Sequence, residues 1–185
     1  MEKNKKIKVV SLFSGCGGSD LGILGGFDFL GKKYQKLPTE IVFALDNDKK
    51  AIQTYNLNFK HPAVHSRIED VLVKDIPDEI DIVVGGFPCQ SFSTVNPNKD
   101  PLDERGQLYK HMAIILKQKK PKVFIAENVK GMLTLQNGAI YKKIEAEFSR
   151  AGYVVQHRVI NAADYGVPQK RQRVFMIGVR KDIKR

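Results

Sequence analysis

The sequence predicts one α/β domain built on a doubly wound, mostly parallel sheet with a late antiparallel strand pair. Three patterns predict it. Short apolar runs alternate with amphipathic segments, the pattern of a parallel sheet with helices on both faces. A glycine-rich turn follows the first apolar run directly. The last two strand-like runs have no helix between them, so they are expected to pair antiparallel.

The elements follow in order. Residues 7–13 (IKVVSLF) read as the first strand and 14–18 (SGCGG) as a tight turn; a short helix runs over 20–26. Residues 41–46 (IVFALD) form a second strand. The helix over 48–59 places Ala51, Ile52, Tyr55 and Phe59 on one face, at helical spacing. Residues 80–85 (IDIVVG) are a strand, 107–117 a helix and 122–126 (KVFIA) a further strand. A helix over 139–151 ends at Gly152, a residue type suited to a helix C-terminus. Residues 153–160 and 173–179 are the two late strands, joined by a polar loop. Residues 92–107, with Pro97, Pro101 and Gly106, are the longest irregular stretch, and loops of that length tend to be functional.

Composition narrows the class. A chain of 185 residues with 42% hydrophobic content can bury one sizeable core. No apolar run is long enough to span a bilayer, and MEKNKKIKVV lacks the apolar centre of a secretory leader, so a soluble cytoplasmic protein without membrane partners is expected. Lys and Arg number 31 against 20 Asp and Glu, a net charge of +11. That excess suits a polyanion such as nucleic acid, or reflects a lysine-rich composition bias. Cys16 and Cys89 lie in separate motifs, and His61, His65, His111 and His157 lack ligand spacing, so neither a disulfide framework nor a metal site is indicated.

Four segments carry candidate chemistry, and each also has an ordinary structural reading. Val9–Gly22 (VVSLFSGCGGSDLG) is a strand, a turn and a helix start, with glycines at 15, 17 and 18 that permit positive φ and close ligand approach. It is not the G-x-G-x-x-G fingerprint of nicotinamide enzymes, because Asp20 stands where the third glycine would fall. Asp46 ends the second strand, where a carboxylate can accept ribose hydroxyls or serve the following helix N-terminus. The strand over 80–85 delivers Phe87-Pro88-Cys89 to the same carboxyl edge, which places the Cys89 thiol to react unless it is packed and inert. Glu127-Asn128-Val129 follows the strand over 122–126; Glu127 is an acid that can hydrogen-bond a substrate nitrogen or cap the next turn, and Asn128 can fix the loop. In PQKRQRVF, Gln169, Arg171 and Arg173 share a face if the segment is extended, and two guanidiniums there can polarise a carbonyl or hold a phosphate. The ordinary reading is a basic strand edge.

Together LFSGCGG, GGFPCQSFS, ENVKG and QKRQR, in that order from about Val9 to Val179, resemble the DNA (cytosine-5) methyltransferase family. The resemblance implies a Rossmann-like methyltransferase fold, S-adenosylmethionine as methyl donor, DNA as substrate and a prokaryotic restriction-modification setting. It implies that Phe13, Ser14, Gly15, Cys16, Gly17 and Gly18 line the cofactor pocket, that Asp46 takes the ribose, that Asn47 and Ile68 also belong to the cofactor site, and that Pro88 and Leu108 contact the cofactor. Cys89 is implied to attack C6 of the target cytosine, Glu127 to hold N3 and the exocyclic amine, and Arg173 with Arg171 to grip the base carbonyl and nearby backbone. Gln90, Ser91, Ser93, Asn128 and Gln169 are implied on the DNA side, Ser93 at a phosphate and Gln169 in support of its loop. Residues 92–107 become a lid over an everted base.

Two departures stand out. Family members often carry an acid that reaches the adenine amino group, where this chain reads HSRIEDV, with Arg67 before Ile68 and Glu69 or Asp70 as substitutes. The family usually continues with a target-recognition region and a returning segment, which the sequence to Arg185 does not include. The resulting expectation is an incomplete catalytic domain over residues 1–185: a split subunit needing a second polypeptide, an interrupted or shortened chain, or a protein that binds without turnover. The rival functions are a catalytically silent DNA-binding or regulatory subunit and a nucleotide-dependent oxidoreductase.

Overall fold

The computed structural model describes residues 5–88 and 107–183. The chain divides into two compact units after Gly85.

The first unit is a parallel sheet with helical connections. Strand β1 (Ile7–Leu12) leads to helix α1 (Gly18–Leu24), then to a hairpin of β2 (Phe27–Phe29) and β3 (Lys32–Tyr34). Strand β4 (Thr39–Asp46), helix α2 (Lys49–Asn58), the short β5 (Val64–His65) and β6 (Ile82–Gly85) follow. All three sheet pairings, β4 with β5, β1 with β4 and β1 with β6, are parallel. Val9, Val10, Leu12, Ala44, Leu45 and Val83 are buried, as near-continuous apolar runs in a parallel sheet should be. Leu12 stands opposite Leu45, so Phe13, just past the end of β1, and Asp46, the last residue of β4, come side by side at the carboxyl edge of the sheet.

The hairpin was not expected from the sequence. Leu30 and Gly31 both have positive φ, the requirement of a two-residue turn between antiparallel strands. Phe27 stacks on Tyr34 across it.

The second unit holds helix α3 (Leu108–Lys119), β7 (Val123–Val129), helix α4 (Ala139–Arg150), β8 (Tyr153–Asn161) and β9 (Gln172–Arg180). β9 pairs antiparallel with both β7 and β8, which confirms the late antiparallel pair and adds a third strand to it. Alternation puts Phe124, Ala126, Asn128, Val174 and Met176 in the core with Met112, Leu116, Ile144 and Phe148 from the helices. Tyr153, fully buried, donates to the Pro121 carbonyl at 2.7 Å. Gly152 stands just beyond the end of α4, with Ala151 as the cap residue. Phe87 packs among Tyr109 and Phe148, ring centroids 6.2 and 6.4 Å away. Burying such a side chain contributes about 1.5–3 kcal/mol, enough to anchor residues 86–88 on this core. No helix among the described residues is long and apolar enough to cross a membrane.

Candidate functional site

In the first unit the candidate residues gather at the turn after β1. Phe13 has φ +56°, unusual for an aromatic residue, and the chain then reverses through Gly15 (+55°) and Gly17 (+91°). Gly17 has a second reason to be glycine: a Cβ there would lie 2.2 Å from the Phe59 ring. Gly18 departs from expectation. It is the first residue of α1, has no positive φ, and a Cβ on it would face open space. Ser14 is buried and ties the turn to β4: its N–H donates to the Leu45 carbonyl at 2.9 Å, and its Oγ accepts from the Leu45 N–H at 3.2 Å. Cys16 is an exposed free thiol.

Asp46 reaches across to the same turn. Its Oδ2 accepts the Gly15 N–H at 2.7 Å and its Oδ1 the Asp48 N–H at 2.8 Å. The helix cap is Asp48, whose Oδ1 accepts from Lys50 and Ala51 and whose carboxyl is held below its ordinary value chiefly by those backbone bonds. Asp46 is thereby free of capping α2. Each of its oxygens keeps a second lone pair, so the carboxylate fits ribose hydroxyls beside a turn whose glycines bring backbone close to a ligand. Asn47 is exposed and its carbonyl meets His65 Nε2 at 3.2 Å. Ile68 is buried at the start of a short 3-10 turn, Ile68–Asp70. Glu69 pairs with Arg67 at 2.9 Å, and Asp70 is exposed.

In the second unit the acid and the base-like end of the motif set meet directly. β7 runs through Glu127-Asn128-Val129 instead of stopping at Ala126, because β9 continues the ladder: Glu127 faces Phe175, Asn128 faces Val174 and Val129 faces Arg173. Glu127 and Arg173 are therefore diagonal neighbours on one face, close enough for long side chains to meet. Arg173 Nε lies 2.9 Å from Glu127 Oε1. The other carboxylate oxygen rests against Gly86, where a Cβ would stand 3.2 Å from it. Asn128, on the opposite face and only 3% exposed, donates from Nδ2 to the Phe87 carbonyl at 3.0 Å and accepts the Val129 N–H at 2.8 Å. Buried and spent on backbone, this side chain is tied to the Phe87-Pro88 segment that leads to Cys89.

The basic motif also differs from expectation. β9 begins at Gln172, so Gln169 and Arg171 are not on one extended face with Arg173. Gln169 sits in an exposed bend, its N–H on the Val167 carbonyl at 2.7 Å, and Arg171 is exposed with its backbone bonded to Asn161 and Ala162. Pro88 is half-buried, and Leu108 is buried at the start of α3. Cys89, Gln90, Ser91, Ser93 and residues 92–106 of the expected lid lie outside the described residues.

Sequence reasoning missed one group. Asp20, which served only to break the nicotinamide fingerprint, is fully buried and accepts from Ser11 Oγ at 2.6 Å and Tyr55 Oη at 2.8 Å. The visible signal was a serine inside an apolar strand run followed by an aspartate within the first turn of a helix.

The family model for C-5 cytosine-specific DNA methylase matches residues 7–185. Type II methyltransferase M.BsuRI of Bacillus subtilis is 41% identical over 98% of this chain and 45% of its own length. M.NgoFVII of Neisseria gonorrhoeae is 42% identical over 97% of this chain and 45% of its own. The chain thus spans about half the length of the curated relatives it matches. A prophage-encoded E. coli protein, solved as a DNA modification methyltransferase, has 30% identity and a TM-score of 0.76 over 97% of this chain and 49% of its own. The S. pombe Dnmt2 methyltransferase structure, at 24% identity and a TM-score of 0.72 over 97% of this chain and 53% of its own, shares the fold. The α/β methyltransferase fold expected from the sequence is the one observed.

Proposed function

Because the chain belongs to the C-5 cytosine-specific DNA methylase family, we propose that it supplies the cofactor-binding and catalytic part of an enzyme that methylates C5 of cytosine in DNA. The setting is restriction-modification, as the Type II names of the relatives suggest. The observation that carries the reading is the Glu127–Arg173 pair, set against Gly86 and next to the anchored Phe87-Pro88 stem that leads into Cys89.

The residues divide the work. C5 of cytosine is a weak nucleophile, and addition of the Cys89 thiolate at C6 turns the ring into an enamine with density on C5. Glu127 accepts from the exocyclic amine with one oxygen and, in its protonated form, donates through the other to N3, which takes that proton as negative charge develops there. Arg173 orients Glu127 and reaches the base carbonyl. The turn over 13–18 and Asp46 hold S-adenosylmethionine, which when bound supplies the electrophilic methyl group that C5 accepts. Loss of the C5 proton and expulsion of the Cys89 thiolate then restore the aromatic ring. The base must leave the duplex stack for this, and the +11 charge favours the polyanionic strand that carries it.

The test is a covalent trap. DNA carrying 5-fluorocytosine should form an adduct on Cys89 that depends on S-adenosylmethionine, in the chain alone or after addition of extract from its source. Label transfer that survives Cys89→Ser would overturn the reading. DNA binding with no adduct under either condition would favour the silent-subunit alternative.

A further inference from the structure

We infer that Asp20 is the positioning residue of the S-adenosylmethionine pocket, holding the glycine turn and the Asp46 strand end in register through two chains of contacts, one of hydroxyls and one of a hydroxyl and stacked rings. The inference rests on the cofactor reading above.

The first chain runs to β4. The Leu45 N–H donates to Ser14 Oγ at 3.2 Å, Ser14 Oγ lies 3.0 Å from Ser11 Oγ, and Ser11 Oγ donates to Asp20 Oδ1 at 2.6 Å. The next residue after Leu45 is Asp46, whose Oδ2 takes the Gly15 N–H. The second chain runs to α2. Tyr55 Oη donates to Asp20 Oδ2, the Tyr55 ring stacks on Phe59 with centroids 4.3 Å apart, and Phe59 fills the space beside Gly17 that a Cβ would need. Ser19 Oγ is a third, longer contact at 3.4 Å. Both walls of the turn therefore end on one carboxylate.

An acceptor is required at the centre. Two buried hydroxyls, from Ser11 and Tyr55, point at it, and removing it leaves both donors without a partner in a water-excluded site. An apolar residue at position 20 would fit the volume but not the polarity. Burial holds the Asp20 carboxyl above its ordinary value, against the hydroxyl bonds that lower it. Burial and the neighbouring Asp20 likewise push the Tyr55 hydroxyl up, so it stays protonated as the donor.

The test compares Asp20→Ala, Asp20→Asn, Ser11→Ala and Tyr55→Phe in the full chain. Amide hydrogen exchange at Gly15, Gly17 and Leu45 should speed by about tenfold or more in Asp20→Ala, and calorimetric affinity for S-adenosylmethionine should fall by about tenfold or more, the scale of leaving buried donors unsatisfied. Ser11→Ala and Tyr55→Phe should each cost a few-fold, about one hydrogen bond's worth. Asp20→Asn keeps one acceptor and should fall between, which covers the case in which Asp20→Ala does not fold. Asn56→Ala, which removes the acceptor for the Ala63 N–H at the far end of α2, should lower the melting temperature without changing affinity. Unchanged exchange at the three amides would overturn the inference. So would an affinity loss in Asn56→Ala matching that in Asp20→Ala. If the unsubstituted chain binds no S-adenosylmethionine while exchange still responds to Asp20, the positioning role stands and the cofactor reading falls.

Discussion

The two halves of the candidate machinery are built differently. The turn after β1 is a backbone device: its shape comes from left-handed residues at 13, 15 and 17, and its supports, Ser11, Ser14 and Asp20, are buried. The Glu127–Arg173 pair is a side-chain device: two charged groups lie half-exposed on a strand face, placed by ladder register. A binding pocket for a fixed cofactor can be rigid and enclosed. Groups that receive an incoming base must be reachable and must keep hydrogen-bonding capacity for it.

This contrast can be broken or sharpened by substitution. The largest effect should come from Glu127→Gln, which keeps the shape and removes the charge facing Arg173. Methyl transfer by the active assembly should fall about 10²–10³-fold, while calorimetry should find cofactor affinity within about twofold. A parallel loss of cofactor affinity would break the separation. Next, Gly17→Ala should destabilise by about 2–4 kcal/mol in urea unfolding, from a left-handed backbone and a clash with Phe59. Gly18→Ala, in the same motif but with open space and no positive φ, should stay within about 0.5 kcal/mol. Asn128→Ala should cost about 1–3 kcal/mol, because the Phe87 carbonyl loses its donor inside the protein. The smallest effect is a pH trend. With its folded-state value raised, Asp20 favours folding most when protonated, so its contribution should be full below the ordinary carboxylate range and be lost as pH rises through the folded value. Unfolding curves of Asp20→Asn should lack that component.

Much of this was legible in the sequence, for identifiable reasons. β1, the glycine turn, β4 and α2 follow from apolar runs, glycine spacing and helical periodicity, and Tyr55 fell on the buried face as expected. The hairpin over 27–34 was missed because FDFLGKKY is too short to show alternation, and its turn uses Leu30 where glycine or asparagine would announce it. β7 was cut short because Glu127 and Asn128 are polar; the partner strand that satisfies their backbone lies more than 40 residues on, beyond the reach of a local pattern. The same holds for Asp20, whose partner Tyr55 is 35 residues away.

That an acid of the site stands inside a paired strand has a last implication. Side chains on a strand alternate sides, so inserting one residue between Arg173 and Val174 would swing the guanidinium to the face where Asn128 lies and leave Glu127 without its counter-ion. Variation in length is thereby steered away from the ladder and into the connection between β8 and β9, residues 162–171, where an added residue leaves the alternation on both strands intact.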